Sequence, residues 1–165
     1  RERVLRKIRP NFFGGLQVDW QNLSRVRFEQ PSDAPPYPIP IGGSGSSNIG
    51  LGAGLVYDNR QNVLNVRNGF FAELAYLNYN RLWGSTFNFS SVNLDARLFR
   101  TVRPNQVLAW QAFGLFQSGT VPFNQQALLG SEVIMRGYYA GRYRDRNYLA
   151  TQLEYRWLPF PFSKR

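Results

Sequence analysis

The chain has 165 residues, a formal net charge of +10, and neither cysteine nor histidine. These absences exclude a disulfide framework and cysteine-based metal sites, and they remove the commonest general base, so triad and zinc chemistry are not expected here. The positive charge is spread over strand ends, turns and one long loop rather than gathered on a basic helix, so nucleic acid is not expected as a partner.

Aromatic residues make up 16% of a chain whose mean hydropathy is negative, a pairing that suits a wet interior and a greasy exterior. No apolar run approaches the roughly 20 residues that a membrane-spanning helix needs. Period-two alternation recurs instead. In chain order, a first strand is predicted at Glu2 to Ile8, followed by strands at Asn11 to Trp20 and Ser24 to Gln30 around a tight turn at Gln21-Asn22-Leu23. Gly14 and Gly15 interrupt the second of these, which predicts a bulge or a close approach of neighbouring backbone. A long loop rich in Pro, Gly and Ser then spans Pro31 to Asn48.

Ile49 to Asp58 sets Leu51, Ala53, Leu55 and Tyr57 against Gly50, Gly52 and Gly54, and Phe70 to Asn80 sets Phe70, Ala72, Leu74 and Tyr76 against Glu73 and Tyr79. Ser85 to Arg100 alternates most clearly: Val92, Leu94, Ala96 and Leu98 face one way, Asn93, Asp95 and Arg97 the other. Val107 to Gln117 opposes Leu108, Trp110, Ala112 and Phe116 to Gln111 and Gln117. Asn147 to Trp157 opposes Leu149, Leu153, Tyr155 and Trp157 to Gln152, Glu154 and Arg156. These segments have the length of about ten residues that a tilted transmembrane strand requires.

Connections alternate as well. Pro31 to Asn48 and Ser118 to Arg146 are long, whereas Thr101 to Gln106 is compact, as in outer-membrane barrels. Tyr57, Phe70, Phe71, Tyr79, Trp83, Phe99, Trp157 and Phe160 lie near strand ends, where interfacial girdles are expected. A soluble β-sandwich shares such alternation. Its outward faces, however, are usually rich in Lys and Glu, and the only lysines here are Lys7 and Lys164.

Three elements in order carry a resemblance. Met135-Arg136-Gly137-Tyr138 resembles the Val/Ile-Arg-Gly-Phe/Tyr motif on the long sixth extracellular loop of the bacterial surface antigen family, the barrels of BamA and TamA type assembly and translocation proteins. Tyr57-Asp58-Asn59-Arg60, with Arg67, Gly69 and Phe70, is similar to that family's Asp-x-Arg turn and Gly-aromatic strand start. Asn147 to Arg156 is similar to the strand that follows the loop.

The resemblance implies an all-β fold, an antiparallel transmembrane barrel of which residues 1–165 supply about seven of sixteen strands, with periplasmic domains and further strands elsewhere in the parent. It implies location in the bacterial outer membrane and a non-enzymatic role, inserting outer-membrane proteins or translocating polypeptides without a cofactor. Lipids including lipopolysaccharide, unfolded or secreted client chains and accessory lipoproteins are the implied partners; a passive pore is the alternative function. The loop is expected to fold into the lumen, Arg136 pairing with an inner-wall acid while Gly137 lets the backbone turn. The usual acid is expected beyond Arg165, leaving Glu154 as a lumen-side contact beside Gln152, Arg156, Asp95 and Arg97. For Asp58, Arg60 and Arg67, plain solvent exposure stays open, and Tyr138, Tyr139 and Tyr143 could stack inside or decorate a surface loop.

Overall fold

The computed structural model describes residues 1–27, 38–132 and 134–157. The strands are β1 (Glu2–Arg9), β2 (Phe12–Leu23), β3 (Ser46–Asp58), β4 (Gly69–Tyr79), β5 (Phe89–Arg103), β6 (Gln106–Gly119), β7 (Ala127–Leu129), β8 (Tyr143–Asp145) and β9 (Asn147–Trp157). Seven form one antiparallel sheet in the order β1-β2-β3-β4-β5-β6-β9, and β7 pairs with β8 in a small hairpin of its own. The fold is all-β, as the alternation predicts.

One sheet face is apolar and open. Leu16, Val18, Trp20, Leu51, Leu55, Leu74, Tyr76, Leu98, Trp110, Leu149, Leu153, Tyr155 and Trp157 all lie exposed on it. The opposite face carries Gln17, Asp19, Glu73, Asp95, Gln111, Gln117 and Glu154, and there the buried core sits: Leu77, Tyr79, Phe89 and Val121, with Phe87 packed against it. An apolar face left in water would be costly over so many large residues, so the arrangement suits hydrocarbon outside and water inside.

Two of the sheet's connections are alike in sequence. Arg9-Pro10-Asn11 joins β1 to β2 and Arg103-Pro104-Asn105 joins β5 to β6. The proline presets φ at the first turn position, and Asn11 (φ 63) and Asn105 (φ 65) accept the left-handed conformation at the second. A register shift precedes each turn, between Lys7 and Arg9 and between Thr101 and Arg103. These turns share one end of the sheet with the connection 59–68; the connections 24–45, 80–88 and 120–146 share the other.

Several expectations need correcting. Gln21-Asn22-Leu23 is no turn: the three residues continue β2 and pair with Asn48, Ser47 and Ser46. Ser24 to Arg27 form no strand, and the rest of the strand expected to Gln30 lies outside the described residues, as do residues 31–37 of the expected loop and also Phe160. β3 begins at Ser46, inside the expected loop. Ser85 to Asn88 precede β5 in a connection that opens on a single 3-10 turn, in which the Asn80 side chain accepts from Leu82 N and Gly84 (φ 96) closes the turn.

Of the aromatics assigned to girdles, Phe71, Tyr79 and Phe99 point to the polar face instead. Tyr79 is 5% exposed and stacks on Phe89, Phe71 lies under two guanidinium groups, and Phe99 under one. Tyr57 and Phe70 pack together on the apolar face with ring centroids 6.1 Å apart.

The glycines of β2 and β3 mark close approach rather than a bulge. A Cβ on Gly15 would lie 1.9 Å from Val4 O, and one on Gly52 would lie 1.8 Å from Tyr76 O. Gln17, opposite Gly52, uses that space: its Nε2 donates to Tyr76 O (2.9 Å) and Ala53 O (3.2 Å). Arg3 reaches past Gly54 to Glu73, Nη1 to Oε1 2.6 Å, a pair that spans β1 to β4.

Candidate functional site: the long loop on the polar face

The connection from β6 to β9 folds back over the polar face. Its first part docks through Val121 and Pro122, both buried, through Phe123 N to Ile41 O (2.8 Å), and through Gln117 Nε2 to Gln125 O (2.8 Å). The β7–β8 hairpin follows. Its enclosed turn is organised by Gly130 (φ 105) and Gly141 (φ 74), with Gly141 N donating to Gly130 O at 3.1 Å.

Within that turn Ser131 N donates to Ile134 O (2.9 Å) and Tyr138 N to Met135 O (3.1 Å). Met135 takes the left-handed conformation (φ 56). The expectation that Gly137 supplies the turn is therefore corrected: Gly137 is not in the left-handed region, and a Cβ on it would meet nothing within 4 Å. The strained backbone falls two residues earlier, on a residue with a Cβ.

Two features relate the turn to the sheet, a buried side chain facing it and an ion pair. Ile134 is 9% exposed and lines a cavity of about 270 Å³ with Arg97, Gln111, Phe113 and Tyr148 of the polar face. Arg136 Nη2 donates to Glu154 Oε1 at 2.9 Å, although the Arg136 side chain stays 68% exposed. Glu154 Oε2 accepts from Arg156 Nε (2.9 Å) and Nη2 (2.7 Å), and the Arg156 guanidinium lies 5.5 Å from the Phe99 ring centroid. Glu154 thus stands between two arginines, one from the loop and one from its own strand.

Beside this triad runs a second chain of polar contacts. Arg97 holds Asp95 through Nε (3.0 Å to Oδ1) and Nη2 (2.6 Å to Oδ2), Gln111 Nε2 donates to Asp95 Oδ1 (3.3 Å), and Gln152 Nε2 donates to Gln111 Oε1 (3.1 Å). A two-point guanidinium contact of this kind is stronger and more directional than a single bond.

The other sequence motif builds a separate lock at the short-turn end. Arg60 grips Asp58 through Nε (2.8 Å) and Nη2 (2.7 Å), and its guanidinium sits 4.5 Å from the Phe71 ring centroid, with Arg97 at 5.5 Å. The ring is a shared cation–π platform for two ion-paired arginines. Donation to the Asp58 carboxylate holds the Arg60 guanidinium above its ordinary pKa. Gly69 (φ 132) is needed there, since a Cβ would lie 2.8 Å from Arg60 Cα. Arg67 is not brought in: it is exposed, and only its carbonyl is engaged, by Thr101 Oγ1 at 3.2 Å.

Tyr138 and Tyr143 meet with centroids 5.7 Å apart, and Arg142 lies near the rings of Tyr139 and Tyr143. All three tyrosines are exposed, which puts the cluster at the surface of the loop. Sequence reasoning missed Ile134 as an anchor; its signal was the short apolar run Val133-Ile134-Met135 set among Ser, Glu, Arg and Gly. It also missed the Arg3–Glu73 and Tyr79–Asp19 contacts, which require the register across four and three strands.

The family model of the Omp85 superfamily domain matches residues 4–165. No curated protein matches, and no solved structure matches.

Proposed function

This chain belongs to the Omp85 superfamily, and on that premise we propose that it is the wall of an outer-membrane barrel that inserts outer-membrane proteins or translocates polypeptides, with its long loop held in the lumen. The polar face is then the lumen lining and the apolar face meets lipid. Residues 1–165 supply seven strands of a barrel of about sixteen, and client chains, membrane lipids and accessory lipoproteins are its partners. No bond-making step is required of these residues.

The observation that carries this reading is the loop seated on the polar face through Ile134 and through Arg136 to Glu154. A loop fastened there narrows the conduit and ties its shape to the wall, so Arg136 works as a latch between loop and barrel. Because Arg136 remains largely exposed, the latch is weak enough to open during each cycle.

The test uses the full-length parent in proteoliposomes. Arg136→Glu should slow assembly or passage of a client barrel protein, and the exchange Arg136→Glu with Glu154→Arg should restore much of it. Client handling that is unchanged in the single variant, with the barrel still folded, would overturn the latch.

A further inference from the structure

The short-turn end of the sheet carries a surplus of positive charge with nothing to absorb it. Arg9, Arg67, Arg100 and Arg103 lie there, all exposed, and none has an ion-pair partner among the described residues. The acids within reach of this end are already engaged, Asp58 by Arg60 and Glu154 by Arg136 and Arg156. Arg9 and Arg103 occupy the same position in the two Arg-Pro-Asn hairpins, so the sheet repeats one cation at the entry of each tight turn.

Arg100 adds a direction. On β5 the apolar face bears Val92, Leu94, Ala96 and Leu98, and Arg100 is the next residue of that face, opposite Leu108 and close to the short turn. A guanidinium at the end of a lipid-facing row extends toward the headgroup level, its methylenes along the hydrocarbon. At this end of the same face stand the Tyr57–Phe70 pair and Trp157, amphipathic rings of the kind found at headgroup depth.

We propose that this rim binds the phosphate groups of anionic phospholipids in the leaflet that meets the short turns. The continuity of Arg100 with the apolar row selects lipid over a soluble polyanion: a nucleic acid or an acidic polypeptide has no reason to sit where hydrocarbon begins. At the long-loop end Arg25, Arg27 and Arg146 are exposed as well, but none continues an apolar row of the sheet, and Arg142 and Arg144 are engaged locally, Arg142 by Tyr139 and Tyr143 and Arg144 by the Phe123 carbonyl at 3.1 Å.

The inference rests on the apolar face meeting lipid, and the experiment separates the two. The full-length parent is reconstituted in phosphatidylcholine nanodiscs with a minor fraction of spin-labelled phosphatidylglycerol, and the relative association of the two lipids is read by electron paramagnetic resonance. Failure to enter phosphatidylcholine discs at all would sink the membrane reading. Given entry, a preference for phosphatidylglycerol is expected, and Arg100→Gln with Arg103→Gln should reduce it about tenfold. Arg142→Gln with Arg144→Gln should leave it in place. A preference that is absent, or equally reduced by both pairs, would overturn the proposal. So would its loss to excess inorganic phosphate at constant ionic strength, which would mark a site for the free ion, or to an added polyanion.

Discussion

Tyr79 on β4 donates its hydroxyl to Asp19 Oδ2 on β2 at 2.7 Å, crossing the whole width of β3 at Gly50. The crossing is open only because Gly50 has no side chain: a Cβ there would lie 2.6 Å from the tyrosine ring. Asp19 is 4% exposed, so it depends on such a donor.

Tyr79→Phe should therefore destabilise the sheet by about 1.5–3 kcal/mol, the usual cost of removing a hydrogen bond to a buried charged group. Chemical unfolding in detergent measures it. A change within a few tenths would mean that water satisfies Asp19 and that the tyrosine contributes through its ring alone.

Gly52 and Gly137 separate two uses of glycine. Gly52→Ala forces a methyl group toward Tyr76 O, and a destabilisation of about 3 kcal/mol or more is expected, at the upper end of overpacking costs. Gly137→Ala meets open space and should stay within about 0.5 kcal/mol. Heat-dependent gel mobility of the two variants ranks them directly; the reverse order would refute the assignment.

Loop docking should depend more on Ile134 than on Arg136. Ile134→Ala removes a buried branched side chain, worth about 2 kcal/mol or more, whereas the exposed pair of Arg136 with Glu154 should show a coupling of about 0.2–1 kcal/mol in a double-mutant cycle. Limited proteolysis within 134–146 reads both. Faster cleavage in Arg136→Ala than in Ile134→Ala would show that charge rather than packing seats the loop.

Arg60→Lys keeps the charge but loses the two-point contact with Asp58 and most of the stacking on Phe71. A loss of about 1–2 kcal/mol is expected, together with easier cleavage in the connection 59–68. An unperturbed variant would mean that a point charge suffices at this lock.

The alternation of apolar and polar residues made the spanning parts of the strands legible, and β9 has the bounds read from its sequence. It failed where strands outrun the apolar belt. Gln21 to Leu23 and Ser46 to Asn48 are still laddered to one another, but beyond the hydrocarbon both faces are polar, so the period vanishes while the backbone hydrogen bonds continue. Phe71, Tyr79 and Phe99 lie near strand ends, where girdles are expected, yet they share the parity of the polar residues, and parity decides which face a side chain takes. At the site, Arg136 and Glu154 could be named from motif and alternation, but the seat of Ile134 could not. Its surroundings come from β5, β6 and β9 at once, and one sequence does not show how a loop lies across three strands.

The glycines of β2 and β3 let Arg3 and Gln17 lie along the wall instead of standing off it. Long polar side chains that run tangentially take up circumference rather than radius. The wall is lined with hydrogen-bonding groups yet kept shallow there, and the groups are spent on one another and on backbone carbonyls. A polypeptide sliding past that sector would meet a smooth, already satisfied surface with few free donors or acceptors to catch it.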